Sequence, residues 1–153
     1  RERVKACGKG PFDWPALSFG ADTLDGTLNA QGLERTSEDT SAAGVVFSTP
    51  ERAILELCDE TPDSALVHEA NALMQGLATL RPQLVSALLE HCDSVKAKRL
   101  FLALADRHRH AWLAHVSMQN VDLGRGKRVL VPGGKLNAKY QITLPADLDE
   151  QLG

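Results

Sequence analysis

From Gly44 onward the apolar positions fall into runs whose spacing names the elements. Val45-Val46-Phe47 has strand character, and Ser48-Thr49-Pro50-Glu51 follows as a helix start. Ser48 and Glu51 stand at capping-box spacing, and Pro50 suits a first turn. The helix runs to about Cys58, offering Ala53, Ile54, Leu55 and Leu57 to a core, until Glu60-Thr61-Pro62-Asp63 breaks it. Three more helices follow. From about Ser64 to Leu77, the residues Leu66, Ala70, Leu73, Met74 and Leu77 recur at three- and four-residue steps. From Pro82 to His91, Leu84, Val85, Ala87, Leu88 and Leu89 give a broad apolar face. The third runs from about Val95 to Arg107 behind a cap at Asp93 or Ser94. On it Ala97, Leu100, Phe101, Leu104 and Ala105 share one arc, with Lys96, Arg99 and Arg107 together beside it. The pattern predicts one apolar and one cationic face. A short helical piece, His110 to Val116, packs behind through Trp112 and Leu113.

The two ends read differently. Lys127 to Val131 is a strand run, and Tyr140 to Leu144 alternates at period two. Pro132-Gly133-Gly134-Lys135 marks a turn between them, and the eight-residue gap predicts a wide loop. Before Gly44 the pattern is weak. Gly8-Lys9-Gly10-Pro11 reads as a turn and Ala16-Leu17-Ser18-Phe19 as a strand after Pro15. Residues 20–44 read as a long loop with a short strand near Leu33. The whole predicts an α+β fold, four to five helices packed on a small mixed β-sheet, in one domain over 1–153, with 1–44 its least defined part.

Composition fits that reading. The chain has 153 residues, 43% of them hydrophobic, enough for one core. No apolar run approaches the roughly 20 residues of a membrane helix. The start, Arg1-Glu2-Arg3-Val4-Lys5, is charged and has no signal-peptide pattern; without an initial Met it reads as part of a longer protein. Cys7, Cys58 and Cys92 are odd in number and widely spaced, which points to buried thiols and a cytoplasmic setting rather than a disulfide framework.

Charge changes the picture more. The formal net charge is -3, yet Ser94 to Tyr140 holds ten Lys or Arg against only Asp106 and Asp122. Such density faces either an anionic partner or the acidic half of the chain. Lys96, Lys98, Arg99, Arg107, Arg125, Lys127, Arg128 and Lys135 are the candidate nucleic-acid contacts. Their reach would be to duplex backbone, because aromatic residues for stacking on single strands are few. Other chemistries find no pattern. His108, Arg109 and His110 with His115 lack metal-ligand spacing. Gly124-Arg125-Gly126-Lys127 and Gly133-Gly134-Lys135 lead into strands, unlike a phosphate loop. No nucleophile signature occurs, and acids are scarce in the basic segment. No enzyme activity, metal or cofactor is expected.

Several ordered blocks carry a family likeness. They are Ser48 to Ala53, Leu77 to Pro82, Ser94 to Leu102, His110 to Leu113, Asp122 to Val131, Gly133 to Leu136 and Lys139 to Pro145. Over Ser48 to Pro145 the chain resembles the AbiEi antitoxins of type IV toxin–antitoxin systems; residues 1–47 match loosely. The resemblance implies a C-terminal antitoxin domain that, in the family, follows a winged helix-turn-helix. That winged module, which binds operator repeats, is not found in these 153 residues. It also implies a DNA-associated repressor role, and a nucleotidyltransferase-like toxin neutralised without a stable complex. A second reading of the same residues is a protein-interaction domain, in which the cationic segment pairs with the acidic half of another copy to form a dimer.

Overall fold

The computed structural model describes residues 10–14, 25–36, 45–60 and 64–148. In chain order the elements are α1 (Asp25–Ala30), β1 (Leu33–Arg35), β2 (Val46–Ser48), α2 (Pro50–Asp59), α3 (Ser64–Gln75), α4 (Pro82–His91) and α5 (Val95–Arg107). A 3-10 turn (Ala111–His115) and three strands follow, β3 (Arg128–Val129), β4 (Lys135–Asn137) and β5 (Ile142–Leu144). Among the described residues five helices and two small sheets make this an α+β fold, as the sequence predicts.

The helix boundaries follow local chemistry. Thr49, in extended conformation, caps α2 by accepting the Arg52 N–H, and Pro50 opens the first turn without an amide to satisfy. Ser48 and Glu51 therefore do not form the predicted capping box: Ser48 donates to Glu56 at 2.6 Å, and Glu51 turns away to Arg81. Ser94, not Asp93, caps α5 through the Ala97 N–H at 3.1 Å. The α4 range is the predicted one, opened by Pro82.

Helix α5 is the axis of the core. Every residue from Ala97 to Ala105 is buried, and α5 packs against α2, α3 and β5. Around it lie Phe12, Ile54, Leu55, Val67, Met74, Leu88, Leu89 and Ile142. Residues 10–14 close one end. Phe12 bridges Cys92, Asp13 N–H donates to the His91 carbonyl at 2.8 Å, and Trp14 stacks on the His91 ring at 4.4 Å. Cys58 and Cys92 are free and buried; burial pushes the Cys58 thiol well above its ordinary value and Cys92 up to about 11. Cys7 and the strand expected at Ala16–Phe19 lie outside the described residues.

Two elements depart from expectation. A helix, α1, stands at Asp25–Ala30 where the sequence predicts a loop, anchored by Leu28 at 1% exposure. The gap between the last strands holds β4 rather than a wide loop. The second sheet has the order β3-β5-β4, with β3 parallel and β4 antiparallel to β5. It is the small mixed sheet the sequence predicts. The first sheet is the antiparallel pair β1-β2, Leu33 opposite Ser48.

Candidate nucleic-acid interface

The cations of α5 point inward or to the rim, so the expected cationic face is not a surface. Lys98 and Arg99 are each 3% exposed. Arg99 donates from Nε to the Leu123 carbonyl at 2.7 Å, and from Nη1 to the carbonyls of Gly126 at 2.6 Å and Gln141 at 3.0 Å. A guanidinium has five donors in a rigid fork, so one side chain can gather three main-chain segments. Lys96 donates to the Asp59 carbonyl at 2.7 Å, fastening α5 to the end of α2. Arg107 reaches the Leu148 carbonyl at 3.3 Å. These side chains therefore meet different parts of the molecule: Lys96 the end of α2, Arg99 the segment from Leu123 to Gln141, and Arg107 the Leu148 carbonyl.

That cover is shaped by its own sequence. Asp122 accepts the Gly124 N–H at 2.8 Å, forming a tight turn against the start of α5. Gly124 has φ +70, and a Cβ there would press to 3.1 Å from Val95. Thr143 on β5 accepts the Leu130 N–H at 3.0 Å, and its hydroxyl donates to the Val131 carbonyl at 3.3 Å. At Gly134 a Cβ would run into the Leu144 carbonyl, so only glycine lets β4 return beside β5.

The remaining predicted cations stand outside. Arg125, Lys127 and Arg128 are exposed, and among the described residues no carboxylate pairs with them. Lys135 is exposed on β4. The structure thus divides the eight predicted contacts. Arg125, Lys127 and Arg128 crowd one short outer segment. Lys98 and Arg99 are too buried for a phosphate to reach, and Lys96 and Arg107 are half-buried and bonded to backbone. Beside the outer group lie Val129, 58% exposed, and Leu136, 42% exposed. Both register with Thr143, so they flank it on one sheet face.

Sequence reading missed two charged networks. Arg52 is fully buried, donating to the Gln31 carbonyl at 2.8 Å and to Glu56 at 3.3 Å, with its guanidinium 4.7 Å from the Phe12 ring centre. Glu51 accepts from the Arg81 backbone N–H at 2.9 Å and from the Arg81 guanidinium at 3.0 and 3.1 Å. Burial alone would raise the Glu51 carboxyl, but the Arg81 hydrogen bonds outweigh it and hold the group at about 2. The only hint in sequence was the position of Glu51 at one helix start and Arg81 at another.

The histidines are used locally. His108 meets Asn71 Oδ1 at 2.8 Å and His110 meets the Met74 carbonyl at 2.6 Å, joining the end of α5 to α3. Among the described residues no group of three or more His, Cys, Asp or Glu converges as a metal site. No helix among them is long and apolar enough to cross a membrane.

The architecture is α+β, built round one buried helix, with Arg125 and Lys127 exposed just before β3 and Arg128 exposed on it. A family model described as transcriptional regulator, AbiEi antitoxin, type IV TA system matches residues 19–145, and the chain belongs to that family. No curated protein and no solved structure matches the chain.

Proposed function

We propose that this chain is the antitoxin and transcriptional co-regulator domain of a bacterial type IV system, acting without catalysis in the cytoplasm. Its cationic edge contacts nucleic-acid backbone. The carrying observation is the exposed group Arg125, Lys127 and Arg128, three cations within four residues and without a carboxylate partner among the described residues. Lys135 adds charge from β4. Contacts of this kind neutralise phosphates without reading bases, so they add affinity and leave operator choice to sequence-reading elements. DNA near the operator is the proposed partner, with RNA as the other polyanion the edge would accept. A nucleotidyltransferase-like toxin is the functional partner and needs no stable complex. Simultaneous Arg125→Glu, Lys127→Glu and Arg128→Glu substitution is expected to abolish antitoxicity or weaken operator binding. Unchanged behaviour in both assays defeats the reading.

Exposed Val129 and Leu136 favour a second reading, a protein-interaction surface that joins two copies. Apolar residues ringed by cations suit a partner face bearing both apolar and acidic groups. Light scattering across a salt series separates the two: a dimer that dissociates as salt rises supports this reading, and a monomer at every salt concentration removes it.

A further inference from the structure

A cavity of about 570 Å³ opens between the end of α5, the 3-10 turn and the segment after β4. That volume lies in the range of small-molecule sites. Its lining is mainly apolar, from Leu102, Leu113 and Met118. Two cations, Arg109 and Lys139, and one acid, Asp106, line it as well.

Two flat rings complete it. Tyr140 is half-buried, and burial raises its phenol above the ordinary value, so the ring is neutral near pH 7. His110 is fixed by its bond to the Met74 carbonyl and by stacking on Trp112 at 5.6 Å. Lys139 sits 5.4 Å from the Tyr140 ring centre and 3.4 Å from Asp106.

Arg109 is the unusual member. It follows the last turn of α5 with φ +52, a conformation glycine takes most easily. Its side chain has no hydrogen bond or ion pair with a described residue.

We propose that this cavity binds a nucleoside phosphate. Arg109 and Lys139 take the phosphate, the apolar wall and the rings take the base, and Asp106 accepts from a ribose hydroxyl or an exocyclic amine. An inorganic anion would leave the apolar wall unused, and an aliphatic ligand would leave the cations unused. The inference goes beyond the backbone-contact reading and does not depend on it.

The chain has two methionines, Met74 buried in the core and Met118 in the cavity, so methyl labelling supplies both reporter and control. Titration of the full chain with AMP is expected to shift the Met118 methyl saturably while Met74 stays still. Adenosine and inorganic phosphate are each expected to bind about tenfold more weakly or worse. Arg109→Gly suits the left-handed position, so the fold persists, and it is expected to weaken AMP binding about tenfold. A short oligoadenylate separates the sources: equal affinity with AMP assigns a free nucleotide, and about tenfold tighter binding through the same Met118 shift assigns an unpaired nucleotide of a strand. The proposal is overturned by any of three results: no saturable Met118 shift with either probe, an Arg109→Gly chain that binds AMP as before, or a glutamate-rich peptide that shifts Met118 at lower concentration than AMP.

Discussion

Arg99 and Arg109 lie ten positions apart and have opposite situations. Arg99 is buried with its donors on three carbonyls, so removing it takes that partner from the Leu123 and Gly126 carbonyls, while the Gln141 carbonyl keeps the Arg128 N–H at 2.8 Å. Hydrogen bonds to a charged group contribute about 1.5–3 kcal/mol each, though several on one side chain do not add in full. Arg99→Ala is expected to destabilise the fold by roughly 3 kcal/mol or more, read as a fall in the urea midpoint. Arg99→Lys should recover less than half of that, because an ammonium cannot reproduce the planar fork. Arg109 is exposed and held at φ +52. Left-handed backbone costs a residue with a Cβ about 1 kcal/mol, so Arg109→Gly is expected to stabilise the chain by up to about 1 kcal/mol. A fall in stability on that change would mean that the guanidinium supports the fold.

Between elements, the Glu51–Arg81 contact ties the first turn of α2 to the start of α4. The folded carboxyl sits at about 2 against an ordinary 4.5. A depressed carboxyl contributes stability that is complete above the unfolded value and is lost as pH falls through the folded one. The window is therefore about pH 4.5 down to 2. Arg81 is 55% exposed, so solvent screening reduces the contribution to roughly 1–2 kcal/mol. Urea midpoints should fall across that window, and in Glu51→Gln the fall should be smaller by about that amount. The elements themselves were unequally legible. The ranges of α4 and α5 were readable because Pro82, Ser94 and the apolar spacing are local signals. Helix α1 and strand β4 were not, since Asp-Gly-Thr-Leu-Asn-Ala offers a single apolar anchor of any size, Leu28, and Lys135-Leu136-Asn137 buries none of its side chains. Pairing with β5, not pattern, makes β4 a strand. Ser48 and Glu51 had capping-box spacing, but Thr49 took the cap and each acid or hydroxyl found a stronger distant partner.

At the scale of the molecule, counting cations found the basic segment but could not sort inside from outside. A helical wheel sees spacing along α5; it does not see that residues 24 to 42 positions later fold over Arg99. The sorting has a consequence that separates structure from binding. Interior substitutions such as Arg99→Ala should lower stability and reduce binding only by depleting the folded chain. Arg125, Lys127 and Arg128 are exposed and their side chains make no contact that holds the fold, so the triple reversal exchanges one cluster of like charges for another and its melting temperature should stay within a few degrees. Its binding should change in a particular way. Each phosphate contact contributes about 0.9 to the slope of log affinity against log salt on duplex DNA. If the three cations each meet a phosphate, the reversal should reduce the slope by roughly 2–3. The weakening should be about equal on operator and on unrelated duplex, because backbone contacts carry no base information. A reversed chain with the original salt slope, or one that loses affinity for operator alone, would place the nucleic-acid contact elsewhere than on this edge.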